Sequence, residues 1–131
     1  MNIILIFTYG VSLKDWNETG ILNRELEIYN KMIDLYDVKF TFITYGNKED
    51  IDFFDNKNIE IIPIYKYVKK YNNKYLRFLM SFIFPFRIRK ILIDKSLIKT
   101  NQLNGVWIGI ILKRLLKIPL FVRTGYNLYE F

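Results

Sequence analysis

The segment from Leu97 to Tyr126 constrains the fold more than any other part of the chain. It opens on Leu97-Ile98 and ends that first run in Lys99-Thr100-Asn101-Gln102. After Gly105 comes an apolar stretch from Val106 to Leu116. A second short run, Leu120-Phe121-Val122, ends in Arg123-Thr124-Gly125-Tyr126. The pattern predicts strand, helix, strand. Lys113, Arg114 and Lys117 fall at the end of the helix, where cations favour the negative end of its dipole. Pro119 stops that helix and pushes Ile118 into an extended conformation. Two parallel strands with polar residues at both carboxyl ends make a rim that can hold a ligand.

The rest of the chain repeats this grammar. Asn2 to Thr8 is an apolar run, the mark of a strand buried on both faces. Residues 9–20 read as a polar loop. Ile21, Leu22, Leu26, Ile28, Tyr29, Met32, Ile33 and Leu35 then recur at helical spacing. Val38 to Thr44 is the second strand, and 47–58 a short helix or loop. Ile59 to Ile64 is the third strand, with Pro63 indicating an edge position. Tyr75 to Ile93 is helical, with Pro85 kinking or splitting it. Leu97 to Thr100 and Leu120 to Arg123 are strands four and five, joined by a helix over 104–116. Such an order implies an α/β, doubly wound, Rossmann-like parallel sheet. Right-handed crossovers give the strand order 3-2-1-4-5. Strands one and four then flank the switch point, and ligands bind outside their carboxyl ends.

Composition narrows the chemistry. The 131 residues suit one domain, and 51% apolar content is enough for a core. There is no cysteine and no histidine. That removes disulfides, thiol nucleophiles, zinc sites of the usual ligands and histidine-based triads. Charge is split along the chain. Residues 1–60 carry 6 Lys/Arg and 11 Asp/Glu, a net of −5, whereas residues 61–131 carry 14 and 2, a net of +12. A basic half attracts phosphates, whether in nucleotides, nucleic acid or anionic lipid. The first residues are too short an apolar run, and lack the basic start, for a signal peptide. No apolar stretch is long enough to span a bilayer. A cytoplasmic protein is the expectation, with peripheral contact to the inner face of the cell membrane.

Several residues can carry a site. Gly20, next to Thr19 at the start of a helix, either lets backbone N–H groups approach a phosphate or simply begins the helix. Its setting fits neither the GxGxxG fingerprint nor a P-loop. Arg24 can reach a phosphate or carboxylate in the crevice, or stay solvated. Trp16 either stacks on a sugar ring or packs back onto the domain. Asn101 and Gln102 can hydrogen-bond sugar hydroxyls, while capping of the following helix suits Asn101 or Asn104. Arg123, at a strand end, calls for an anionic partner, and Tyr126 lies on the same wall. Lys69, Lys70, Lys74, Arg77, Arg87, Arg89 and Lys90 surround an apolar, aromatic middle. Together they read as a membrane-surface element, as a core helix with a solvated basic face, or as a surface covered by another domain.

Taken in order, these motifs resemble the N-terminal domain of family 4 glycosyltransferases of the GT-B fold. The likeness runs through Thr8-Tyr9-Gly10-Val11-Ser12-Leu13 with Trp16, then Gly20-Ile21-Leu22-Asn23-Arg24-Glu25, then Phe42-Ile43-Thr44-Tyr45-Gly46. It is strongest in Lys99-Thr100-Asn101-Gln102 with Gly105 and Trp107, and in Pro119 through Tyr126. The resemblance implies an acceptor-binding half, residues 1–131, with a separate C-terminal domain for the nucleotide-sugar donor. It implies a retaining transferase without bound metal or other cofactor, acting on a glycan or lipid-linked acceptor in cell-surface polysaccharide synthesis. The family's paired glutamates lie in the C-terminal domain. Many members also place a histidine on the N-terminal side of the cleft, which this chain lacks. The expectation is that the 131-residue chain alone is inactive.

The rival reading is a basic α/β module that binds anionic membrane or nucleic acid without catalysis. Against nucleic acid, the cations gather by one helix rather than on a recognisable nucleic-acid fold.

Overall fold

The structure is a computed structural model and describes residues 1–53 and 56–123. Its strands are β1 (Asn2–Ile6), β2 (Lys39–Thr44), β3 (Ile59–Pro63), β4 (Leu97–Thr100) and β5 (Leu120–Phe121). They form one five-stranded sheet in the order β3-β2-β1-β4-β5, parallel throughout. This is the doubly wound arrangement that the apolar runs predict. β1 is central, with Ile4 opposite Thr41 on one side and Ile98 on the other. A strand in that place is covered on both faces, so Ile4, Leu5, Ile6 and the following Phe7 are all fully buried. β3 takes an edge, where Pro63 and its missing N–H are tolerated.

The helices are α1 (Leu13–Glu18), α2 (Leu22–Tyr36), α3 (Ile64–Tyr67), α4 (Lys74–Ile88) and α5 (Val106–Leu116). Side chains alternate along a strand, so each strand feeds two cores. On one face Phe7, Phe40 and Phe42 meet α1 and α2. Trp16 of α1 stacks on Phe7 at 4.2 Å, and Tyr29 of α2 meets Phe40 and Phe42 edge-on at 5.0 and 5.3 Å. On the other face lie α4 and α5. Gly109 of α5 lets that helix press close to the sheet. A Cβ there would lie 3.0 Å from Leu120 and 3.4 Å from Ile6. Beside it, Phe78 and Phe82 of α4 pack on Trp107 of α5.

Four local expectations need correction. The loop expected over 9–20 contains α1. Its start is a capping box, in which Ser12 Oγ accepts from the Asp15 N–H and Asp15 accepts from the Ser12 N–H. Pro85 does not split the long helix, which runs unbroken from Lys74 to Ile88 before a 3₁₀ turn at Arg89–Leu92. β5 is two residues long rather than four. The apolar stripe of α2 is narrower than the spacing implies: Leu22 and Tyr29 are buried, while Ile28 and Leu35 face outward.

Candidate functional site

The loops that leave β1, β2 and β4 are tied together at the carboxyl edge of the sheet. Asn101 N–H donates to the Ile6 carbonyl, Tyr9 N–H to Asn104, and Tyr45 N–H to Val11. Asp50 locks the base of this edge. Its carboxylate is 3% exposed and accepts from the Leu13 N–H at 3.0 Å and the Thr44 hydroxyl at 2.7 Å. It joins the end of β2 to the start of α1. Gly46 leaves the room: a Cβ there would overlap the Asp50 carboxylate.

Above this base, between α1, α2 and the ends of β1 and β4, lies a cavity of about 350 Å³. Trp16, Arg24, Asn101, Gln102 and Arg123 all line it, although they come from four separate stretches of the chain. Sequence reasoning singled out each of these. It assigned no site role to Thr8, Val11, Asp15, Thr19, Ile21 or Glu25, which share the wall.

The indole of Trp16 is 3% exposed and lies against Phe7. It therefore supplies an apolar floor, with Val11 and Ile21 beside it, rather than an open stacking platform. The amides of Asn101 and Gln102 reach the rim with no hydrogen-bond partner among the described residues, although the Asn101 backbone is held. They do not cap α5. Its N-cap is Gly105, at φ +108°, packed close to the Phe7 carbonyl and the Tyr9 N–H. The sequence offered capping and ligand binding as uses for these amides. The structure leaves them open to the cavity.

Arg24 stands in the first turn of α2, exposed, and makes no ion pair among the described residues. Arg123 is held through its backbone N–H, which donates to the Thr100 hydroxyl at 3.2 Å. Its charge is felt by its neighbours. Lys99, half-buried, has its ammonium pushed below the usual lysine range, first by burial and then by Arg123. Glu25 opposes that shift. The Tyr29 phenol is raised to about 12, first by burial and then by Glu25, with Arg123 acting the other way. Glu25 and Arg123 of the cavity wall thus share one electrostatic group with Lys99 and Tyr29, which lie outside the lining. Lys99 was legible as part of a polar strand end. Its approach to the Tyr29 ring, at 6.0 Å, was not.

Gly20 does not line the cavity. It adopts φ +77° and closes α1, with its N–H donating to Asn17 and the Ile21 N–H to Trp16. That is a Schellman ending, and the left-handed backbone is what calls for glycine. Tyr126 lies outside the described residues.

The basic set divides. Lys69, Lys70 and Lys74 are exposed, each over a tyrosine ring at 5.0 to 5.3 Å. Arg89 and Lys90 are exposed. Arg87 donates to the Tyr67 carbonyl at 2.9 Å. Arg77 is partly buried, and its Nε is enclosed with no partner among the described residues.

Fold and site together define a Rossmann-like α/β domain with a polar cavity at its switch point. No family model matches the chain, and neither a curated protein nor a solved structure is significantly similar to it.

Proposed function

We propose that the chain is the acceptor-binding half of a retaining glycosyltransferase, which moves a sugar from a nucleotide-sugar donor to a glycan or lipid-linked acceptor. The observation that carries this reading is the cavity at the ends of β1 and β4. It sets two uncommitted amides, two arginines and the carboxylates of Asp15 and Glu25 around an apolar floor. Sugars present hydroxyls around a ring with apolar patches, and such a wall answers both features. In this reading Asn101 and Gln102 hold acceptor hydroxyls. Arg24 and Arg123 hold an anionic group of the acceptor or donor, as guanidinium forks do. The donor and the groups that act on its anomeric carbon belong to a second domain. Nucleotide sugars place the work in the cytoplasm.

Saturation-transfer NMR on the purified chain tests this against short oligosaccharides and nucleotide sugars. Transfer to an oligosaccharide is expected, and its near-complete loss in an Asn101→Ala/Gln102→Ala variant that keeps its thermal midpoint. No transfer to any glycan tried, or transfer unchanged in the variant, contradicts the reading. Turnover of a nucleotide sugar by this chain alone would overturn the assignment of donor chemistry to a second domain.

A further inference from the structure

The outer face of α4 carries a row of exposed apolar side chains flanked by cations. Its inner face is buried through Ser81, Phe84, Pro85 and Ile88. One turn apart on the opposite side stand Leu76, Leu79, Ile83 and Phe86, which are 43%, 57%, 43% and 56% exposed. Residues at this spacing share one helix face, so they form a continuous apolar stripe in water. Charge is arranged around the stripe with one sign only. Between Glu60 and Asp94 there is no acidic residue, and eight lysines and arginines fall there. Lys74 stands at the start of α4 and Arg89 and Lys90 just past its end, all exposed. Lys74 also lies over the ring of Tyr75, which is itself 70% exposed.

We infer that α4 is the element by which this domain rests on an anionic phospholipid surface. The stripe enters the boundary between head groups and acyl chains, and the flanking lysines and arginines pair with lipid phosphates. Charge complementarity favours this occupant over a second copy of the chain, which would bring cation against cation. A bilayer offers apolar interior and phosphate within a few ångströms of each other, and the stripe with its cationic ends presents the matching sequence of surfaces. Tyrosines beside lysines suit the head-group level, where one end of a side chain is dry and the other wet. Among the described residues no helix is long and apolar enough to cross a membrane. At 15 residues, α4 is about 22 Å long and lies in the surface plane. The surface does not depend on what the cavity binds.

Co-sedimentation of the whole chain with vesicles tests this. One set contains phosphatidylglycerol in phosphatidylcholine, and the other phosphatidylcholine alone. Binding is expected to the first set, falling steeply as salt is raised, and weak binding to the second. A Leu79→Gln/Ile83→Gln variant, altered only at exposed positions, is expected to bind anionic vesicles at least tenfold more weakly with an unchanged thermal midpoint. Lys74→Gln/Lys90→Gln is expected to lose roughly twenty-five-fold and to respond less to salt, since each surface cation contributes about fivefold. Failure of the folded wild-type chain to bind anionic vesicles overturns the proposal. So does binding that neither variant weakens. Dimerisation abolished by Leu79→Gln/Ile83→Gln, without vesicle binding, assigns the face to a second copy instead. Oligosaccharide transfer is read on the same samples, so failure here and failure of the transferase reading are separate results.

Discussion

α2 and α4 are both 15-residue helices, and they cover opposite faces of the same sheet. Both turn an apolar side to the strands. Their other sides differ. α2 presents Asn23, Arg24, Glu27, Asn30 and Lys31 to water, interleaved with Ile28 and Leu35, and Glu27 and Lys31 pair at 3.5 Å one turn apart. α4 presents Leu76, Leu79, Ile83 and Phe86, with cations only. The difference teaches that helical spacing identifies a helix, whereas the composition of its far side indicates what lies beyond it. The α2 side faces solvent and a polar cavity. The α4 side carries an apolar surface that water does not favour.

The comparison is broken most severely by removing a core ring from the α4 side. Phe84 is fully buried, and Phe84→Ala is expected to cost about 3–5 kcal/mol, read as a lower urea midpoint with the slope unchanged. The α2 side depends more on single polar ties. Asp50→Ala strands a buried backbone N–H and a buried hydroxyl. It is expected to cost about 2–4 kcal/mol in the same assay. A cost below 1 kcal/mol would show that the tie is not what holds α1 on β2.

The third prediction concerns alkaline pH. The Tyr29 phenol ionises near 12 in the folded chain and near 10 when unfolded. A raised folded value means its contribution is whole below pH 10 and is lost as pH rises through 12. Two units correspond to about 2–3 kcal/mol, so Tyr29→Phe is expected to lose that much less stability than wild type between pH 10 and 12. Denaturant titrations at both pH values check it. The smallest effect belongs to the outer stripe of α4. Leu79 has little to lose on folding, so Leu79→Gln is expected to change stability by no more than about 0.5 kcal/mol, by thermal or urea unfolding. A larger loss would mean that Leu79 is packed against the domain, and would remove it from the docking stripe.

What was legible in the sequence followed from strong physical constraints. Parallel strands buried on both faces must be apolar at successive positions, so β1 to β4 stood out, and with right-handed crossovers their order did too. The polar ends of strands four and five marked Asn101, Gln102 and Arg123. What was hidden depended on three-dimensional partners. α1 is six residues long, and its one clear mark was the Ser12–Asp15 capping box, which reads as loop polarity. Asp50 sits in an acidic run that looks solvated, and only the packing of Leu13, Thr44 and Gly46 around it makes it a buried lock. Gly20 was legible as a special residue but not as the end of α1 rather than the start of α2. On α4 the sequence showed an apolar middle between cations. Which of those apolar residues face the sheet required the structure.

The two tryptophans stand on opposite sides of the sheet, Trp16 on the cavity floor and Trp107 beneath Phe78 and Phe82 of α4. Their indole N–H signals in a ¹⁵N-labelled chain, assigned with Trp107→Phe, report the two surfaces in one spectrum. Titration with an oligosaccharide is predicted to move the Trp16 signal and leave Trp107 in place. Titration with anionic bicelles is predicted to move Trp107 and leave Trp16. An oligosaccharide that moves neither signal, or moves only Trp107, would contradict the assignment of a sugar site to the switch-point cavity.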